Sequence, residues 1–156
     1  MKIILALFAL LVAVVAAIPF SQNYLKNNPN PFAKKSTATI KDRTFQLLLA
    51  KTPEQQQIGL SEHKSFPKDQ GMLFIFASAD YHPFWMKNMK IPIDMLFIKE
   101  NKIVTIYDNV QPAVEGDNNP PIYRPQKEAN RVLEINAGLS KEYDIKIGDE
   151  VRFENL

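Results

Sequence analysis

Apolar positions fall into short runs separated by polar, Pro or Gly punctuation, and beyond the N-terminus no run sustains a helical period. Ala38–Lys41 and Thr44–Ala50 flank the polar Lys41-Asp42-Arg43 step and predict a strand hairpin. Thr52-Pro53-Glu54-Gln55 then combines an N-cap, a proline suited to the first helical position and a capping-box partner. It predicts a short helix over Pro53–Gly59, followed by a polar loop over Ser61–Gln70. Gly71–Phe76 is a continuous apolar run of six, the pattern of a strand covered on both faces.

Phe84–Met86 is a second apolar burst. Ile93–Lys99 and Lys102–Tyr107, separated by Glu100-Asn101, predict another hairpin. Asn109–Pro125 holds four prolines and reads as a long loop. Arg131–Asn136 is a strand, Gly138 a breaker, and Ile147–Glu150 a turn into a last strand at Val151–Phe153. The sum is an α+β domain, mainly β: about eight short strands and one short helix, as a compact antiparallel sheet or a partly closed barrel.

The first 36 residues differ from the rest. Met1-Lys2 precedes fifteen uninterrupted apolar residues, Ile3–Ala17, with small residues at Ala16-Ala17. This is the pattern of a signal peptide over residues 1–17, cut after Ala17. The competing reading is an uncleaved membrane anchor over residues 3–20, which falls slightly short of the roughly 20 residues a spanning helix needs. Both place the domain outside the cytoplasm: periplasmic, secreted or held at the outer face of the membrane. Residues 18–36, rich in Pro, Asn and Lys, read as a linker, and residues 37–156 as a single globular domain.

Charge and cysteine content narrow the function classes. The chain has 19 Lys+Arg and 17 Asp+Glu. Lys2, Lys26, Lys34 and Lys35 precede residue 38 and no acid does, which leaves 15 bases against 17 acids beyond it. A nucleic-acid footprint on the domain is disfavoured, because phosphate binding needs clustered positive charge. With no cysteine, disulfides, thiolate metal sites and Cys nucleophiles are excluded. His63 and His82, 19 residues apart, lack the short spacing of a metal site. Ser61, Ser65 and Ser78 lack a nucleophile motif, and no Gly-rich phosphate loop is present. No metal and no cofactor are expected.

Three stretches place polar groups inside apolar context: Phe84–Met89, Pro92–Phe97 and Val132–Gly138. Lys87 follows three large apolar residues, while Asp94 and Glu134 each sit inside a predicted strand. Buried charge is costly unless paired, so Lys87 is expected to meet Asp94, Glu134 or both. The two carboxylates have alternative readings, as an acid/base pair or as acceptors for backbone donors. Trp85 and Met86 read either as core or as the floor of a ligand pocket.

The ordered motifs Glu54…Gly59-Leu60, Gly71–Phe76, Phe84-Trp85-Met86-Lys87-Asn88, Pro92–Phe97 and Leu133–Gly138, with a closing Gly148-Asp149-Glu150-Val151, resemble the family known as domain of unknown function 192. The resemblance spans about residues 45–151. Two departures are Ser61-Glu62-His63, where the family commonly has Met-x-Arg, and Met89, where it often has Thr. The resemblance implies a compact β-rich prokaryotic domain, often exported, with no established activity.

The leading expectation is a non-catalytic small-molecule binding or accessory module. Its candidate ligand site is Trp85, Met86, Lys87, Asn88, Asp94 and Glu134, bordered by the Pro-rich loop and taking a small anionic or polar ligand through Lys87. A second reading is a hydrolase or transferase with Asp94 or Glu134 as acid/base and Lys87 as electrostatic support. A third is a structural or protein-interaction domain. Neither the protein partners nor a catalytic residue can be named from the sequence.

Overall fold

The Lys41-Asp42 step turns the chain back on itself, with Lys41 in the left-handed conformation at φ 53°. It joins β1 (Thr37–Ile40) to β2 (Arg43–Ala50) in antiparallel register, Ile40 opposite Arg43. The computed structural model describes residues 35–114, 116–117 and 119–156. The predicted signal segment and all but the last two residues of the predicted linker lie outside the described residues.

Thr52 caps α1 (Pro53–Ile58) through the capping box read from the sequence. The Thr52 hydroxyl accepts from the Gln55 amide at 3.3 Å, and the Gln55 side chain accepts from the Thr52 amide at 3.1 Å. With no buried residue of its own, α1 is pinned by Gln56, whose side-chain amide donates to the Ile75 carbonyl at 2.9 Å. The helix and the loop after it form a crossover, so β3 (Gln70–Asp80) returns parallel to β2. This is a departure from the antiparallel expectation with a simple cause: a hairpin turn reverses a strand, whereas a helical connection carries the chain back to the same end.

The remaining strands are β4 (Phe84–Trp85), β5 (Ile93–Lys99), β6 (Lys102–Val110), β7 (Ile122–Tyr123), β8 (Ala129–Asn136) and β9 (Val151–Glu154). Seven of the nine described strands form one curled sheet in the order β6-β5-β8-β3-β2-β1-β9, and β4 pairs with β7 in a small second sheet. The sheet's two end strands are stitched together. Val151 donates to the Asn101 carbonyl, Gly148 to the Ile103 carbonyl and Ile103 to the Asp149 carbonyl, at 2.8–3.1 Å. The mainly β, partly closed architecture anticipated above is the one found, with nine strands and a second short helix, α2 (Leu139–Glu142), among the described residues.

The sheet buries both faces. Leu73, Leu96, Ile98, Leu133 and Ile135 point inward to one cluster, which Ala38, Ile40 and Phe45 complete. Met72, Phe74, Met95, Phe97 and Val132 alternate with them and pack outward, under Leu60, Phe66, Met86 and Ile93. Two-faced burial explains why β5 is buried at every position except Lys99. Among the described residues no helix is long and apolar enough to cross a membrane.

Gly71 marks a close approach between β3 and β8. A Cβ there would lie 2.8 Å from the Leu133 Cδ1 and 3.2 Å from the Glu134 carbonyl oxygen. Leu133 can shift but the backbone carbonyl cannot shift freely, so Gly71→Ala is expected to cost about 1–3 kcal/mol by overpacking. Urea denaturation checks this, and an unchanged midpoint would show that the strands have room to part.

Candidate functional site

Adjacent strands decide where the two candidate carboxylates go. Asp94 on β5 lies opposite Ile135 on β8, and Met95 lies opposite Glu134. Cross-strand partners share a face, so Asp94 projects with Ile135 to the inner side and Glu134 projects to the outer side. The two acids therefore do not meet, and an acid/base pair built from them is not formed.

Asp94 is fully buried and is saturated by hydrogen bonds. One oxygen accepts from the Asn109 amide at 2.7 Å and the Gly138 amide at 2.9 Å. The other accepts from the Ser140 amide at 2.8 Å and the Ser140 hydroxyl at 2.6 Å. Gly138, at φ 84°, is the N-cap of α2 and has no side chain with which to cap it. Asp94 supplies that cap from another strand. Of the sequence readings for Asp94, acceptance of backbone donors is the one realised, and no ligand-facing oxygen is left over.

Glu134 stands in the opposite situation. Its cross-strand neighbours are Met72 and Met95, whose thioethers donate no hydrogen bond. It is 5% exposed, and its Oε2 is buried with no hydrogen-bond partner. Desolvation pushes its pKa up from 4.5 to about 8, because burial penalises the charged form. At neutral pH the group is mostly a neutral acid.

A cavity of about 160 Å³ opens above Glu134. Its walls are α1 and the turn after it (Gln56–Ser61), Phe74 and Phe76 of β3, and the segment His82–Trp85, with Lys87 and Met89. The rings interlock: Phe84 meets Phe74 edge-on at 5.0 Å, and His82 stacks on Phe76 at 3.7 Å. The His82 ring nitrogen also reaches the Ser78 carbonyl at 3.1 Å. β4 alternates across its two residues, with Phe84 turned inward against Phe97 and Trp85 turned outward, 56% exposed.

Lys87 does not pair with either acid. Among the described residues it forms no ion pair, and its ammonium stands 6.0 Å from the centre of the Trp85 ring. The expected pairing fails because β4 ends at Trp85 and the chain turns at once, Met89 donating to the Met86 carbonyl at 3.2 Å. That turn lifts Lys87 into solvent, where the ammonium keeps its hydration. Asn88 is the exposed, left-handed residue of the turn (φ 63°) and does not line the cavity. Met86 is buried core at 2% exposure.

Of the six residues singled out from sequence, then, Trp85, Lys87 and Glu134 share one cavity. Met86, Asn88 and Asp94 do not line it. Gln56, Phe74, Phe76, His82 and Phe84 line the cavity without having been singled out. A signal for two of them is present, since Met72, Phe74 and Phe76 alternate on one face of the strand that carries them. The Pro-rich stretch contributes β7, with Ile122 opposite Trp85 and Tyr123 opposite Phe84, so it borders the wall and does not enter it. Among the described residues no group of three or more His, Asp and Glu side chains gathers as metal ligands do.

The family model for domain of unknown function 192, described as an uncharacterised ACR, matches residues 35–153. The chain belongs to this family. Two crystal structures are similar to this member. One is a protein of Sinorhizobium meliloti 1021 described as a candidate transcription regulator, 31% identical, with TM-score 0.68 over 76% of this chain and 92% of that one. The other is a protein of unknown function from Novosphingobium aromaticivorans DSM 12444, 28% identical, with TM-score 0.67 over 79% and 89%. No curated protein matches.

The two acids differ in what their loss does. Asp94→Ala strands the buried amides of Gly138 and Ser140 and is expected to destabilise by about 3–5 kcal/mol, measured by chemical denaturation. Glu134→Gln acts in the other direction and depends on pH. A carboxyl whose folded-state pKa is raised costs nothing below the unfolded value of 4.5 and its full penalty above about 8. Wild-type stability is therefore expected to fall as pH rises between these values, by roughly 5 kcal/mol at most at 1.36 kcal/mol per unit. Glu134→Gln should remove that slope. A variant that tracks the wild type at every pH would show that Glu134 is not desolvated.

Proposed function

We propose that this family member is a small-molecule binding module whose ligand sits in the cavity above Glu134, with no chemistry performed on it. The observation that carries this reading is Glu134 itself, which lines the cavity and keeps a buried Oε2 without a hydrogen-bond partner. A core needs no such group, since Leu at this position would bury no polar atom and Gln would avoid the cost of burying an ionisable carboxyl. Such a residue is kept at a cost to the fold, as binding residues often are. Trp85 and Lys87 stand at the rim, where Trp85 offers a broad apolar face and Lys87 reaches an anionic or polar part of the ligand. Against catalysis stands the separation of Asp94 from Glu134, which leaves the cavity one carboxyl in place of a pair.

The description of the Sinorhizobium meliloti protein does not extend readily to this chain. Beyond residue 37 acids outnumber bases, and the longer described helix has six residues, too few to lie along a major groove. We also propose that the module works outside the cytoplasm, delivered by the apolar segment at Ile3–Ala17.

Trp85 is the chain's single tryptophan, so its fluorescence reports the rim directly. A metabolite library is expected to yield a saturable change in that emission. Trp85→Ala should weaken binding while shifting stability by no more than about 0.5 kcal/mol, as for an exposed residue. A library with no saturable binder by fluorescence or native mass spectrometry would sink the binding reading. Fractionation of the source cells should find the protein outside the cytoplasm with Ile18 as its first residue, and a cytosolic protein that retains Met1 would overturn export.

A further inference from the structure

The ligand's class follows from what lines this cavity, and the inference rests on the pocket reading above. Four aromatic residues, Phe74, Phe76, Phe84 and Trp85, line this cavity together with a single carboxyl, that of Glu134. Faces of aromatic rings attract cations, and so does a carboxylate; neither attracts an anion. A neutral hydrogen-bonding ligand would be served as well by Gln, which avoids the cost of burying an ionisable carboxyl. What Glu alone adds is a group that can take up negative charge when a cation arrives. The volume of about 160 Å³ is close to the roughly 150 Å³ that suffices for a benzene ring.

We infer that the pocket takes a small primary amine, its ammonium on the Glu134 carboxylate and its apolar body between the rings of Phe74, Phe84 and Trp85. The other titratable groups lining the cavity are His82 and Lys87. His82 is stacked on Phe76, with its nitrogen directed to the Ser78 carbonyl. The Lys87 ammonium is hydrated at the rim, where the ligand's far end lies. Binding by an amine ionises Glu134, which gives the proposal a second signature. Below about pH 8 the carboxyl must first lose its proton, so one proton is released per ligand and apparent affinity falls about tenfold per pH unit.

The test is isothermal calorimetry of the purified protein with benzylamine, benzyl alcohol and benzoate, in two buffers of different ionisation enthalpy. Benzylamine is expected to bind roughly ten- to a hundredfold more tightly than benzyl alcohol, the margin of a hydrogen bond to a charged group. Glu134→Gln should abolish that margin, and proton release should accompany benzylamine alone. Benzoate or benzyl alcohol binding as well as the amine, with Glu134→Gln neutral, would overturn the amine and leave the pocket standing. If none of the three perturbs Trp85 or yields heat at millimolar concentration, both the amine and the pocket for these ligands fall. Because Glu134→Gln is expected to be stable, loss of binding in a variant that denatures like the wild type cannot be ascribed to unfolding.

Discussion

The fold is organised around one buried charge. Asp94 gathers amides from Asn109 on β6 and from Gly138 and Ser140 beyond β8, 15 to 46 residues away in sequence, and adds the Ser140 hydroxyl. Left unpaired, an ionised carboxylate in this position would be untenable; with four donors it becomes a fixed point. Three of the donors are backbone amides that would otherwise be orphaned, two of them at the N-terminus of α2. One side chain thus resolves several local deficits together, and β5, β6 and the β8–α2 corner keep their positions because of it.

Glu134, one strand away, shows what the same chemistry does without donors. Both acids sit in apolar strands and both are buried, yet a one-residue difference in register sends them to opposite faces of the sheet. The inner face at Asp94 is met by a turn rich in free amides. The outer face at Glu134 is met by methionines and aromatic rings. One carboxylate becomes architecture, and the other is left with capacity for something the protein itself does not provide.

Much of the fold was legible in the sequence because its elements are locally encoded. The Thr52–Gln55 capping box, the Glu100-Asn101 hairpin and the apolar run from Gly71 each carry their own signal. Helix α2 had none, since four residues after a glycine show no period and the cap comes from Asp94. The parallel return of β3 was also hidden, because a short connection does not announce its direction. For the site, Trp85, Lys87 and Glu134 could be picked out as polar or amphipathic groups in apolar context, but their relation could not. Whether Lys87 reaches an acid depends on a turn at Asn88, and whether two acids meet depends on strand pairing, neither of which one-dimensional pattern contains.

The stitched ends of the sheet bear on how this chain comes into being. β1 opens the domain and β9 closes it; they pair with each other, Thr37 opposite Glu154, while the approach to β9 is hydrogen-bonded to β6. During synthesis β1 has only β2 beside it, and β6 has only β5, until the last strand has left the ribosome. Such long-range pairing is slow to form and cannot begin early. The contacts that close the sheet consequently form last, after the final strand has been made, and complete a sheet whose central strands can already have paired.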